Sequence, residues 1–175
     1  MAITKILNIM ESEGRNPASH LKNALEYIQN PNKTEECVLV GGINCLPDFA
    51  YEQMIGTKEM FGQTGGRQGY HFIISLKPGE GTREQMYEIT RQFAEEFLGG
   101  EYEGVFSVHT DKDHLHGHLV FNSVNMVTGR KYSYKKGDWK NVIQPITNRL
   151  CEEYGLSIVA AEYSKDPVNM NRKQW

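Results

Sequence analysis

Residues 104–122 read "GVFSVHTDKDHLHGHLVFN". An apolar run, a short polar stretch at 110–113 and a second apolar run predict two antiparallel strands joined by a tight turn. Along the second run, side chains alternate. His114, His116 and His118 share a face with Val120 and Asn122, while Leu115, Leu119 and Phe121, with Gly117, take the opposite face and enter the core. His109 ends the first strand and lies beside the histidine row if the strands pair. Four of the chain's six histidines fall within residues 109–118. A lone histidine on a sheet is ordinarily a satisfied surface group. A row of them, two ligands from one strand and one from its neighbour, builds a three-nitrogen metal face with positions left for a substrate. Three imidazoles suit zinc, manganese, nickel or cobalt, whereas magnesium ordinarily takes oxygen ligands. Asp111 and Asp113 are common turn residues that can also orient a histidine as hydrogen-bond acceptors. Gly117 predicts thin core packing beneath the site.

Working outward, "ITKIL" (3–7) predicts a strand. Residues 14–33 predict a helix with Asn16 as N-cap, Pro17 at its first position and Pro31 at its end. Leu21, Ala24, Leu25 and Ile28 give that helix one apolar face. Tyr27 sits roughly 120° from the centre of that face by the 3.6-residue period, on the polar flank that His20 shares. "ECVLVGG" (36–42) predicts a buried strand, and residues 47–62 a helix. "GYHFIISL" (69–76) predicts a strand with Tyr70, Phe72, Ile74 and Leu76 on one side and His71, Ile73 and Ser75 on the other. Thr82 and Gln85 form a capping-box pattern ahead of the stripe Met86, Ile89, Phe93 and Phe97, and Gly99 stops the helix. A helix over roughly 138–154 and a strand "LSIV" (156–159) complete the core. The expected class is α+β: a mainly antiparallel sheet of about five strands with packed helices in a two-layer sandwich. Residues 1–160 form the domain, and 161–175 a polar tail or linker.

The chain has 175 residues, net charge −3, 39% hydrophobic and 23% charged residues, the composition of an ordinary globular protein. No apolar run approaches the roughly eighteen residues of a membrane span, and the N-terminus lacks the signal-peptide pattern. Three scattered cysteines, Cys37, Cys45 and Cys151, predict no disulfide framework and fit a reducing cytoplasm. The acidic total disfavours nucleic acid as a partner, but charge is local. "GRKYSYKKGDWK" (129–140) interleaves Arg130, Lys131, Lys135, Lys136 and Lys140 with Tyr132, Tyr134 and Trp139. Cations that track phosphates beside aromatics that stack bases are the combination of single-strand binders; a solvated hairpin is the plainer reading.

"HTDKDHLHGHLVFN" (109–122) resembles the third motif of conjugative and mobilisation relaxases, within the His-hydrophobic-His single-strand endonucleases. "ALEYIQNPNK" (24–33) resembles their tyrosine helix, and "GYHFIISLKP" (69–78) falls where their second motif would lie. The resemblance covers most of residues 1–160. It implies His109, His116 and His118 as metal ligands, with His114 a neighbour, and Tyr27 as nucleophile, with His71 orienting a ligand or contacting DNA. It implies a divalent metal, manganese or magnesium first, with zinc, nickel and cobalt as other choices. It further implies a bacterial, cytoplasmic DNA-nicking and rejoining enzyme acting on single-stranded or hairpin DNA at an origin of transfer, with accessory and coupling proteins as partners. The chain is then expected to be the N-terminal catalytic part of a longer protein. Two alternatives are a rolling-circle replication initiator, whose tyrosine usually follows the histidine pair, and a non-nuclease metal-binding module, which would be a glycine-rich barrel with few helices.

Overall fold

Strands β1 (Ile3–Met10), β2 (Val40–Ile43), β3 (Arg67–Ser75), β4 (Gly104–His109), β5 (His116–Asn122) and β6 (Met170–Asn171) form one sheet in the order β2-β4-β5-β3-β1-β6. The computed structural model describes residues 1–159 and the backbone of 170–171. Apart from that pair, the tail expected over 161–175 lies outside the described residues. The first five strands pair antiparallel, and β6 adds parallel to β1. Helices α1 (Ser19–Ile28), α2 (Ala50–Met60), α3 (Arg83–Leu98) and α4 (Gln144–Glu153) pack on the sheet. The α+β class and antiparallel sheet are as expected, and the open sheet with four helices is not the few-helix barrel of the alternative module.

The sandwich has three layers where two were expected. On one face Tyr70, Phe72, Leu119 and Phe121 meet Met86, Ile89 and Phe93 of α3 and Leu150 of α4. On the other, Val105 and Val120 meet Leu21, Ala24, Leu25 and Ile28 of α1 and Met54 of α2. The physical reason lies in β4, buried at every position: Phe106 and Val108 need cover on one face and Val105 on the other. Each large apolar side chain so buried contributes about 1.5–3 kcal/mol.

Local differences have local causes. The Thr82–Gln85 capping box is present in both directions, at 3.0 and 3.1 Å. Asn16 does not cap α1: its Oδ1 accepts from the Ala18 N–H at 3.0 Å, and the helix starts at Ser19. β2 starts at Val40, not Glu36, because Glu35, Glu36 and Cys37 form a left-handed turn with φ of 51°, 55° and 67°. "LSIV" forms no strand; Ser157 instead accepts from the Ala2 N–H at 3.1 Å.

Gly117 is not a packing defect. A Cβ built there would lie 2.1 Å from Thr90 Oγ1 and 2.7 Å from Met86 Cε. The missing side chain lets α3 approach β5 closely, so packing beneath the histidines is tight, not thin.

Candidate active site

Strand register assembles the site. His109 of β4 pairs directly with His116 of β5, and His118 lies across from Ile73 of β3, two residues from His71. Ring centroids are 4.0 Å apart for His109 and His118, 5.1 Å for His71 and His118, and 6.1 Å for His116 and His118. Above them ends α1, whose apolar face is anchored by Leu21, Ala24, Leu25 and Ile28. Tyr27 therefore turns its partly exposed ring edge-on to His109, His118 and His71, at 5.5, 6.0 and 6.4 Å between centroids. With Asp111 and Lys112, these residues other than His71 line a shallow pocket.

Hydrogen bonds fix the rings. His109 Nε2 lies 2.9 Å from the Ile28 carbonyl. A carbonyl only accepts, so Nε2 carries the proton and the lone pair is on Nδ1. The same bond ties the end of α1, next to Tyr27, to the histidine cluster. His118 Nδ1 lies 2.8 Å from His71 Nε2, with both side chains buried.

Burial keeps the cluster neutral. It pushes the His109 imidazole below its ordinary value, against the opposing effect of the Ile28 carbonyl. It takes His116 down to about 4, helped by the neighbouring His114 and Lys112, and His118 well below the ordinary value, helped by His71 and His109. Neutral imidazoles are what a divalent ion requires of its ligands. As placed, no group of three or more His, Cys, Asp or Glu side chains among the described residues meets the geometry of a metal site. The donor set itself, the buried imidazoles of His109 and His118 and the half-buried one of His116 around one pocket, fits a divalent ion by its chemistry.

The structure does not bring every sequence candidate together. Asp113 is exposed in the turn and does not line the pocket, whereas Asp111 lines it and pairs with Lys33 at 3.5 Å. His114 stacks edge-on against His116 at 4.0 Å. Trp139 corrects the sequence reading: it is 2% exposed and its Nε1–H donates to the Thr4 carbonyl at 2.7 Å, so its ring is core and cannot stack a base. Arg130, Lys135 and Lys136 are exposed, and the Lys131 ammonium donates to the Gly65 carbonyl. This segment begins beyond the Asn122 end of β5, the end of the strand away from His116.

Two lysines escaped the sequence reading. Lys33 Nζ lies 4.8 Å from the centroid of the Tyr27 ring; the chain breaks at Pro31, so helical periodicity says nothing of its position. Lys58 is 1% exposed and donates to the Gln68 carbonyl and to Asn122 Oδ1, both at 2.7 Å. Asn122 in turn donates to Glu103 Oε1 at 3.1 Å. Burial takes the Lys58 ammonium down to about 7, aided by Lys131 and opposed by Glu103. The asparagine that closes the histidine motif thus anchors the strand to α2 and does not face the pocket.

A family model described as "Relaxase: MobA/VirD2-like, nuclease domain" matches residues 27–156. The chain belongs to this relaxase family. Among its relatives, a Protein rlx of Staphylococcus aureus is 38% identical, over 67% of this chain and 36% of its own length. The group II intron-interrupted relaxase LtrB of Lactococcus lactis subsp. cremoris is 32% identical, over 88% of this chain and 33% of its own. The chain spans about a third of the length of these two relatives. A solved structure described as "Molecular Basis of Vancomycin Resistance Transfer in Staphylococcus aureus" shares the fold. It has a TM-score of 0.58, 14% identity and coverage of 93% of this chain and 98% of that one. The relaxase match begins at Tyr27 and includes the whole histidine hairpin. Relaxase nucleases of this family generally use a divalent metal. No helix among the described residues is long and apolar enough to cross a membrane.

Proposed function

We propose that this relaxase nicks and rejoins one DNA strand at an origin of transfer through a 5′-phosphotyrosyl link on Tyr27. It would thereby start conjugative transfer or mobilisation of a plasmid or integrative element. The observation that carries this reading is the edge-on seating of Tyr27 over His109, His118 and His71 at the end of a helix whose apolar face is fully committed to the core.

The chemistry follows from the residues. Tyr27 Oη attacks the scissile phosphorus and the bond to the 3′-oxygen breaks; the phenol loses its proton and the 3′-oxygen gains one. Because one phosphodiester replaces another, the free 3′-hydroxyl can reverse the step and rejoin the strand. His109, His116 and His118 would hold the divalent ion, manganese or magnesium, which when bound supplies Lewis-acid polarisation of a phosphate oxygen. Desolvation favours their neutral forms, the forms that bind a divalent ion. Arg130, Lys131, Lys135 and Lys136 would track the backbone of single-stranded or hairpin DNA beyond the nick. Accessory DNA-processing and coupling proteins would complete the assembly. His116→Ala tests the ligand set: manganese binding by calorimetry and strand cleavage are expected to be lost together, and unchanged binding would remove His116 from the site.

His71 acts in this scheme as a positioning residue. For His118 to present Nε2 to the ion, its Nδ1 must donate to His71 Nε2, 2.8 Å away. His71→Leu deletes that acceptor and is expected to weaken manganese binding about 10- to 100-fold, the usual loss for an outer partner of a ligand. His71→Gln places an oxygen near the lost nitrogen and should restore part of the affinity. Equal affinities in wild type and His71→Leu would show that the contact orients nothing.

A further inference from the structure

The mechanism above gives no task to Lys33, whose ammonium lies over the ring of the nucleophile. We infer that Lys33 binds a non-bridging oxygen of the scissile phosphate, as a cationic substrate contact fixed against the face of Tyr27. The inference rests on the proposed nicking reaction.

Several observations place Lys33 there. Its backbone is held at both ends: its N–H donates to the Asn30 carbonyl at 3.0 Å, and its carbonyl accepts from the Thr110 N–H at 3.0 Å. The second bond docks it on the residue that follows His109. Its ammonium lies 4.8 Å from the Tyr27 ring centroid and 3.5 Å from Asp111 Oδ2, and Asp111 lines the pocket with Tyr27. The side chain keeps 26% exposure, so an incoming phosphate can reach it. The ion pair with Asp111 is long and half-exposed, and such pairs hold little.

Charge gives the placement its meaning. Lys33, over the Tyr27 ring, and Lys112, exposed in the turn, put positive charge at the mouth of the pocket. A phosphodiester carries one negative charge, and its oxygens gain more as phosphorus is attacked. A cation already fixed over the ring of the attacking tyrosine favours that arrangement more than the ground state. In the step, the Tyr27 Oη–P bond forms and the P–O3′ bond breaks. The phenol loses a proton, the 3′-oxygen gains one, and Lys33 keeps all of its own. An ammonium has three donors, enough to serve Asp111 and a phosphate together.

The test compares wild type, Lys33→Met and Lys33→Arg in single-turnover adduct formation, with manganese and saturating single-stranded oligonucleotide from the DNA flanking the gene. Methionine keeps the stem and drops the charge; arginine keeps the charge. Manganese affinity and melting temperature are read on the same samples. The expected result is a loss of about 10- to 100-fold in rate for Lys33→Met. Manganese affinity and melting temperature stay unchanged, and Lys33→Arg recovers most of the rate. Wild-type rate in Lys33→Met overturns the inference. So does a rate that falls in step with manganese affinity or melting temperature in both variants, which assigns Lys33 to the fold. A folded, manganese-bound wild type that forms no adduct on any oligonucleotide overturns the nicking reaction itself, and this inference with it.

Discussion

Tyr27→Phe is expected to abolish the covalent protein–DNA adduct, by on the order of 10⁴-fold or more, the scale on which loss of a nucleophile is felt. The substitution removes one oxygen and nothing else. Phenylalanine has nearly the helix propensity of tyrosine, and the ring can keep its edge-on seat over His109, His118 and His71. The burial of Leu21, Ala24, Leu25 and Ile28 that holds α1 in place is untouched. Melting temperature, manganese affinity and single-strand binding should therefore stay at wild-type values while the adduct band disappears from a denaturing gel. An adduct that survives in Tyr27→Phe moves the nucleophile to another residue. Loss of DNA binding along with the adduct makes the hydroxyl a binding group.

Gly117→Val is expected to be the most damaging single change to the fold near the site. The first added carbon would sit 2.1 Å from Thr90 Oγ1 and 2.7 Å from Met86 Cε. Thr90 cannot readily swing away, because its hydroxyl donates to the Met86 carbonyl at 2.7 Å inside α3. Either α3 lifts from the sheet or β5 shifts toward the pocket. Overpacking of this kind costs about 1–3 kcal/mol, and melting temperature falls by about 2–4 °C per kcal/mol for a domain of this size. A shift of β5 also moves His116 and His118, so manganese affinity should fall with stability. Thr90→Ala in the same chain removes the nearest obstacle and should recover part of both. A Gly117→Val protein that melts like wild type would contradict the close approach of α3 to β5.

The parts of this fold that are legible in the sequence are those where one local rule acts alone. The hairpin is legible because alternation over "HGHLVF" sets its register, and that register puts His109 opposite His116. The Thr82–Gln85 box is legible because its two hydrogen bonds join residues three apart. What fails is long-range. Trp139 reads as part of a basic, aromatic surface segment, yet its nitrogen finds a carbonyl at Thr4, at the other end of the chain. The three layers are hidden because short strands with two apolar faces look like strands with one. Gly117 reads as a hole because sequence shows the missing side chain and not the helix that uses the space. In the site, Tyr27 and the histidine row are readable from spacing and resemblance. Lys33 and the buried Lys58–Asn122–Glu103 chain are not, since each depends on where a turn or helix comes to rest.

If Tyr27 forms a covalent bond to DNA, that bond can be isolated and its site read. The chain is incubated with manganese and single-stranded oligonucleotides tiled across the DNA flanking its gene. The adduct is digested with trypsin and nuclease, and the modified peptide is sequenced by mass spectrometry. The expected product is a nucleotide linked through its 5′-phosphate to Tyr27, in the peptide spanning residues 23–33, with a free 3′-hydroxyl on the released strand. A phosphate on any other residue, or a linkage through the 3′ end, would contradict it.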